Sequence, residues 1–220
     1  MISETSAGVR TWRWIVFLLM LGYWLYQFTQ TDLDAFGWQF RFLTIWGLTF
    51  YLIVSWLMLR RSLGLARRDW NPLVSATVVL GAMVVFMYWK LWFIDPALVN
   101  SGGPIVWYQE YYLHALGPLL MALDAFFILG VFRRMAATLA TMLAIFVAYI
   151  LWIEFLVRPL NTFPEGEVLA GLPYPFLNDM QESERWVFYA TTIGTALVFM
   201  LIGWAFAALL RRLGGRATEA

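Results

Sequence analysis

The sequence contains no cysteine, one histidine and few charged residues, which make up only 13% of its 220 positions. Without cysteine, disulfide bonds, thiolate metal sites and cysteine nucleophiles are excluded. A single histidine also excludes a haem ligated by two histidines of one chain. We therefore expect no metal and no cofactor, and a net charge of +1 gives no reason to expect nucleic acid binding.

Apolar residues are abundant instead: 62% of the chain is hydrophobic and 19% is aromatic. Soluble domains carry about 25% charged residues, so this composition indicates a polytopic membrane protein. Six apolar runs are candidates for helices across a bilayer core of about 30 Å. They cover residues 14–28, 42–59, 73–93, 111–132, 136–157 and 187–210. The predicted fold is all-α, with six transmembrane helices in one bundle and a single membrane domain over residues 1–220.

Basic residues predict the orientation, because short loops rich in lysine and arginine stay on the cytoplasmic side. With six spans both termini share one side, and that side holds 11 of the 15 basic residues. These are Arg10, Arg13, Arg60, Arg61, Arg67, Arg68, Arg133, Arg134, Arg211, Arg212 and Arg216. We expect both termini in the cytoplasm and three connections outside.

Two long connections lie on the predicted outer side, at residues 94–110 and 158–186. Their prolines, among them Pro104, Pro159 and Pro173, predict that no continuous helix forms there. Their apolar side chains favour lids that fold over the outer mouth of the bundle as short or re-entrant pieces. Aromatic belts lying on lipid headgroups are the alternative.

Few ionisable side chains fall within or beside the spans, where each costs about 2.5 to 3.5 kcal/mol. Together with one hydroxyl they are Arg41, Thr44, Lys90, Glu110, His114, Asp124, Glu154 and Arg158. All except Asp124 lie in the outer third of the helices. Thr44 and His114 each lie a few residues below the outer start of a helix that runs inward, so we expect them at similar depth.

A hydroxyl and an imidazole at one depth predict nucleophilic catalysis, in which the histidine removes the hydroxyl proton. Asp124 lies about 15 Å further along the helix, so Glu110 and Glu154 are better placed to orient the imidazole. Donors to a developing oxyanion are expected among Tyr88, Tyr111, Tyr112, Tyr149 and Tyr189. A packing role for His114, with a Thr44 hydroxyl that bonds only to its own helix, stays open.

The remaining charged residues have structural and functional interpretations. Arg41 and Lys90 either extend to the outer interface or bind an anionic headgroup. Glu154 and Arg158 are four residues apart and are expected to pair on one helix face. Asp124 is the deepest charge, and we expect it to join helices through a threonine: Thr138 or Thr141 on the fifth span, or Thr191, Thr192 or Thr195 on the sixth.

Four ordered segments between Trp38 and Val198 carry a resemblance. They are Trp38-Gln39-Phe40-Arg41-Phe42-Leu43-Thr44, then Arg68-Asp69-Trp70, then His114 with Pro118 and Asp124, then Tyr149-Ile150-Leu151-Trp152 followed by Tyr174-Pro175-Phe176-Leu177. Together they resemble the androgen-induced membrane protein family, which also includes the androgen-dependent TFPI-regulating proteins. The resemblance implies a six-span intramembrane threonine hydrolase of fatty acid esters of hydroxy fatty acids, with Thr44 matching the nucleophile and His114 the histidine.

The chain also departs from that family, which often has further histidines just before the catalytic one and after the fifth span. Here those places carry Glu110 to Leu113 and Arg158-Pro159. The run from His114 to Asp124 also resembles bacterial membrane proteins of the Pr6Pr family. We favour a bacterial inner membrane over a eukaryotic one.

The predicted function is hydrolysis of a lipid ester taken from the bilayer, and membrane lipids are the expected partners. A non-enzymatic lipid-binding or scaffolding protein is the first alternative, with Thr44 and His114 making only a bond between helices. A proton-coupled transporter using Asp124 and Glu154 ranks third, because the two halves show no repeat symmetry. No motif indicates a protein partner.

Overall fold

The structure is a computed structural model that describes residues 3–31, 33–99, 106–161 and 171–216. Within these ranges it contains helices and no strand, which confirms the all-α prediction. The long helices are α1 Ala7–Thr29, α2 Leu43–Ser62, α3 Asn71–Ile94, α4 Trp107–Leu129, α5 Met135–Leu160 and α6 Glu182–Arg216. Short helical turns lie at Trp38–Arg41, Pro96–Leu98 and Pro175–Asn178.

Five of the described helices, α2 to α6, are long and apolar enough to cross a membrane. The chain is therefore an integral membrane protein. The first predicted span lies in α1, which is not one of the five and carries Arg10 and Arg13 in its first two turns. The sixth span, and the orientation that depends on an even number of spans, stay predictions.

Two helix boundaries differ from the predicted ones for local reasons. α4 stops at Leu129 because Gly130 adopts a left-handed φ of 71° that ends the helix. α5 continues through Pro159 to Leu160, three residues beyond the predicted end of this span at residue 157. The parts of the predicted lids at residues 100–105, with Pro104, and at residues 162–170 lie outside the described residues.

Three π-helical turns interrupt α4 and α5, and each contains or follows a buried ionisable side chain. They are Tyr112–Leu116 around His114, Ala125–Leu129 after Asp124, and Ile153–Val157 around Glu154. Such wide turns are rare and occur frequently at functional sites. They point to these three positions as the parts of the helices that packing and function constrain most.

The helices pack around α3, which contacts α2, α5 and α6, while α1 lies against α2. The core between them is rich in methionine and leucine, including Met20, Leu80, Met83 and Met121, which are fully buried. Gly81 of α3 lets the helices approach closely, since a Cβ there would lie 2.8 Å from the Tyr51 hydroxyl of α2.

Asp124 is buried against Arg13 of α1, not against a threonine. Its two carboxylate oxygens lie 2.9 Å from Nε and Nη2 of Arg13. The threonine prediction was wrong because hydroxyls in helices bond back to carbonyls of their own helix. Thr141, Thr191, Thr192 and Thr195 do so here. The Thr138 hydroxyl has no partner among the described residues. Arg13, one of the basic residues that predict the cytoplasmic side, is only 1% exposed.

Candidate active site

Thr44 lies in the first turn of α2, and aromatic side chains hold the segment that precedes it. Indole N–H groups of Trp46 and Trp152 both donate to the Phe40 carbonyl at 2.9 Å. The Tyr149 hydroxyl donates to the Arg41 carbonyl, also at 2.9 Å. Side chains of α2 and α5 therefore bind the two successive carbonyls of Phe40 and Arg41. These bonds fix the position of the Thr44 backbone.

His114 lies in the π-helical turn of α4 and is 6% exposed. Pro118 has no N–H to donate to the carbonyl four residues earlier, which is that of His114. The indole of Trp89 donates to this carbonyl instead, at 2.8 Å. The imidazole stacks on the Tyr88 ring at a centroid distance of 3.5 Å and an angle of 5°. His114 is thus held both by the hydrogen bond to its backbone carbonyl and by the stacking of its imidazole on Tyr88.

Thr44, His114 and Glu110 form a hydroxyl–imidazole–carboxylate chain. Thr44 Oγ1 lies 3.2 Å from His114 Nε2. On the other side of the ring, Nδ1 lies 3.2 Å from the Glu110 carbonyl oxygen and 3.1 Å from its carboxylate Oε2. The carbonyl contact is a hydrogen bond, whereas the carboxylate contact is an ion-pair distance without hydrogen-bond alignment. Since both groups are acceptors, Nδ1 carries the proton and Nε2 is left to accept from Thr44.

Tyr174 also reaches the Thr44 hydroxyl, and the sequence analysis did not single it out as a donor. Its hydroxyl accepts from the Leu43 N–H at 3.1 Å and lies beside the side chains of Thr44 and Tyr149. Burial raises the pKa of the Tyr174 phenol above its ordinary value, so the group keeps its proton. The sequence signal that could have pointed to Tyr174 is its position in Tyr174-Pro175-Phe176-Leu177, which belongs to the four segments that carry the family resemblance.

The tyrosines expected to donate to an oxyanion are occupied elsewhere or point away. Tyr149 donates to the Arg41 carbonyl, Tyr189 to the Glu154 carboxylate and Tyr112 to the Met20 sulfur. Tyr88 stacks on His114, with its hydroxyl against Glu110. Tyr111 is 56% exposed.

A cavity of about 410 Å³ opens beside Thr44 and His114. This volume is in the range of small-molecule sites. Most of its wall is apolar, with side chains such as Val84, Met87, Phe146 and Ile150. Residues Pro173 to Leu177, which belong to the second predicted lid, line part of the cavity.

Part of the cavity lining is polar, although the polar residues concerned are buried. Gln27, Gln39 and Arg41 are 6%, 4% and 2% exposed. Each glutamine has one side-chain contact, from Gln27 Oε1 to Gln109 at 3.4 Å and from Gln39 Oε1 to the Thr31 hydroxyl at 3.1 Å. Their Nε2 atoms have no hydrogen-bond partner among the described residues. The two amides therefore leave hydrogen-bonding capacity beside the cavity.

Lys90 and Glu154 lie outside the cavity lining. Lys90 is exposed, with its ammonium 5.9 Å from the Phe86 ring centroid. Glu154 makes the predicted pair with Arg158 at 3.1 Å, and it also binds Arg185 at 2.9 Å and the Tyr189 hydroxyl at 2.7 Å. With Glu154 and Asp124 both held by arginine, the structure lends no support to a proton-carrying role for them.

The described residues contain no group of three or more His, Asp or Glu side chains that could hold a metal ion. The fold and the site thus define an all-α polytopic membrane protein with a threonine–histidine–glutamate chain beside a largely apolar cavity.

The sequence profile of FAR-17a/AIG1-like proteins matches residues 11–207. Because the match covers most of the chain, this protein belongs to the FAR-17a/AIG1-like family. This is the androgen-induced family that the four segments resemble. No match was found among curated proteins or among solved structures.

Proposed function

We propose that the protein is an intramembrane lipid ester hydrolase with Thr44 as nucleophile and His114 as general base. The 3.2 Å contact between Thr44 Oγ1 and His114 Nε2 carries this proposal, because it joins two helices beside a cavity. The hydroxyl of threonine is a weak nucleophile until a base removes its proton. The matched family region contains both residues.

In the proposed first step Thr44 Oγ1 attacks the ester carbonyl carbon while its proton passes to His114 Nε2. The tetrahedral intermediate then expels the alcohol, which takes the proton from the imidazolium, and an acyl-Thr44 ester remains. Water attacks this ester in the second step, with His114 again removing a proton. The products are a fatty acid and an alcohol, and Thr44 recovers its hydroxyl proton.

Two donors beside Thr44 support the negative charge of the tetrahedral intermediate. The backbone N–H of Thr44 belongs to the first turn of α2, where an amide lacks the carbonyl four residues earlier in the helix and where the helix dipole favours negative charge. The protonated Tyr174 hydroxyl lies beside the same side chain. Donors placed where charge develops are usually the largest single contribution to such catalysis.

The proposed role of Glu110 is to orient His114 and to stabilise the imidazolium that forms during each step. Its carboxylate and its carbonyl both face Nδ1, so the ring is held in one tautomer. Glu110 touches neither the substrate nor the reacting atoms in this mechanism, and it is therefore a positioning residue.

The proposed substrate is a lipid ester that enters from the bilayer. Its acyl chain would occupy the apolar part of the cavity, and an acceptor group on its other half would meet Gln27, Gln39 and Arg41. Fatty acid esters of hydroxy fatty acids, whose free carboxylate is such a group, fit this donor set. We further propose that the cavity opens on the outer side of a bacterial inner membrane, with both chain termini in the cytoplasm.

An active-site label tests the proposal. A fluorophosphonate should label the wild-type protein in detergent, Thr44→Ser should retain labelling, and Thr44→Ala should lose it. His114→Ala should lower turnover of a fatty acid ester by about 10² to 10⁴-fold, the usual effect of a general base. Equal labelling of wild type and Thr44→Ala would favour a non-enzymatic lipid-binding protein. Unchanged ester turnover in both Thr44→Ala and His114→Ala would do the same.

A further inference from the structure

A second cleft, of about 660 Å³, lies at the other end of the bundle. It is formed by the connection between α2 and α3 and by the first turns of α5, whereas Thr44 lies at the opposite end of α2. The candidate active site and this cleft share no lining residue.

Four arginines line the cleft, and one of them is already neutralised. Arg61 donates from Nε and Nη2 to the Glu4 carboxylate at 2.7 and 3.1 Å, and from Nη1 to the Arg67 carbonyl at 3.1 Å. Arg61 is therefore engaged by contacts within the protein and stabilises the connection between α2 and α3. Arg67, Arg68 and Arg134 are exposed and have no carboxylate partner within the described ranges.

The backbone and the ring of Trp70 provide a second, independent observation in the same cleft. Trp70 has a φ of 49°, a left-handed conformation that bulky side chains rarely adopt. Its indole lies 3.9 Å from the guanidinium carbon of Arg68. Backbone strain of this kind occurs at ligand clamps, and here it holds one cation over an aromatic face.

The Asp69 carboxylate and Thr141 also line the cleft, and the rest of the lining beside the arginines is apolar. Pro72 and Leu73 of α3 and Ala137 of α5 contribute to it, and both helices are membrane-capable. A cleft that combines three exposed cations with apolar side chains of two such helices matches an amphiphile with an anionic head.

We propose that this cleft binds an anionic phospholipid, with its phosphate at Arg67, Arg68 and Arg134 and an acyl chain along α3 and α5. The occupant is a lipid headgroup rather than free phosphate, because the apolar wall has no role with an inorganic ion. This binding is separate from ester hydrolysis, since neither site needs the other.

The test is native mass spectrometry of the full-length chain in detergent, titrated with phosphatidylglycerol, phosphatidylcholine or inorganic phosphate. Phosphatidylglycerol should bind saturably and more tightly than phosphatidylcholine, and millimolar phosphate should not displace it. The double variant Arg67→Gln/Arg134→Gln should weaken this binding about 30-fold, since each such arginine contributes about a fivefold factor. Both side chains are exposed, so folding should be retained.

The matched control is Arg10→Gln/Arg212→Gln, which removes the same charge from exposed positions outside the cleft. It should change the affinity by less than about threefold, because screening weakens attraction to distant charges. An equal loss of affinity in both double variants, or equal binding of the two phospholipids, would overturn the proposal. Displacement of the lipid by inorganic phosphate would make the cleft a free-phosphate site and would also overturn it.

Discussion

Arg13 and Asp124 form a two-pronged ion pair in the interior of the bundle, with side chains that are each 1% exposed. Both contacts are 2.9 Å, and Nη1 of Arg13 also donates to the Met58 carbonyl at 2.9 Å. One arginine thereby joins α1, α2 and α4. A buried charge is tolerated only with such a partner, so the pair holds α1 in place on helices that carry the site.

Replacing one member of this pair should destabilise the protein. Asp124→Asn removes the closer of the two carboxylates that bind Arg13 and leaves its guanidinium only the 3.4 Å contact with Glu4, so we expect a loss of about 3 kcal/mol in unfolding free energy. Thermal unfolding in detergent measures it. The double variant Arg13→Met/Asp124→Leu should recover most of the loss, because it removes both charges. A double variant no more stable than Asp124→Asn would contradict this explanation.

Glu110→Gln should slow ester hydrolysis less than loss of a triad carboxylate usually does. In serine proteases the equivalent change costs about 10⁴-fold because the histidine adopts the wrong tautomer. Here the Glu110 backbone carbonyl still accepts from Nδ1, so we expect a reduction of about 10 to 10²-fold in kcat with KM unchanged. Steady-state kinetics of the purified variant check this. A 10⁴-fold loss would show that the carboxylate alone controls the tautomer.

Tyr174→Phe should lower kcat by about 10² to 10³-fold, which is the usual effect of removing one oxyanion donor. The phenol keeps its proton because burial raises its pKa, so the donor is present at neutral pH. The rate at which Thr44 is acylated under single-turnover conditions distinguishes slow acylation from slow hydrolysis of the acyl-Thr44 ester. The control is Tyr111→Phe, which changes an exposed hydroxyl on α4 and should leave kcat unaltered. Unchanged acylation in Tyr174→Phe would exclude this role.

Gln39→Leu should discriminate between substrates according to their head group. A hydrogen bond to a charged group contributes about 1.5 to 3 kcal/mol, so KM for an ester with a free carboxylate should rise about tenfold or more. The methyl ester of the same lipid should show little change in KM. Competition between the two substrates on one enzyme preparation gives the ratio directly. A similar rise for both substrates would mean that Gln39 supports the fold instead.

The central contact could be predicted from sequence, and most of its surroundings could not. Thr44 and His114 were placed at one depth by the direction of their helices, and Glu110 was expected near His114 because it lies one turn away. The burial of Arg13 could not be predicted, because counting charges by side of the membrane ignores which face of a helix they occupy. Tyr174 was missed because a connection without periodic structure does not reveal what it covers.

The helices also show what could be predicted from the sequence and what could not. Apolar runs located the bodies of α2 to α6, because a bilayer demands a minimum apolar length whatever the packing. α5 runs three residues past its apolar run, through Pro159 to Leu160, and a π-helical turn at Ile153–Val157 precedes this end. Such turns leave no mark in hydropathy, since they change the number of residues in one turn and not their character.

The π-helical turn at Tyr112–Leu116 also makes the site sensitive to chain length. A wide turn accommodates one surplus residue within an otherwise regular helix, and each residue of an α-helix rotates the chain by about 100°. Removing one residue from this turn would restore a regular α-helix with its two flanks in register, and only the residues inside the turn, His114 among them, would change position relative to Thr44. In this helix the spacing between residues therefore constrains the chemistry as strongly as the identity of the histidine does.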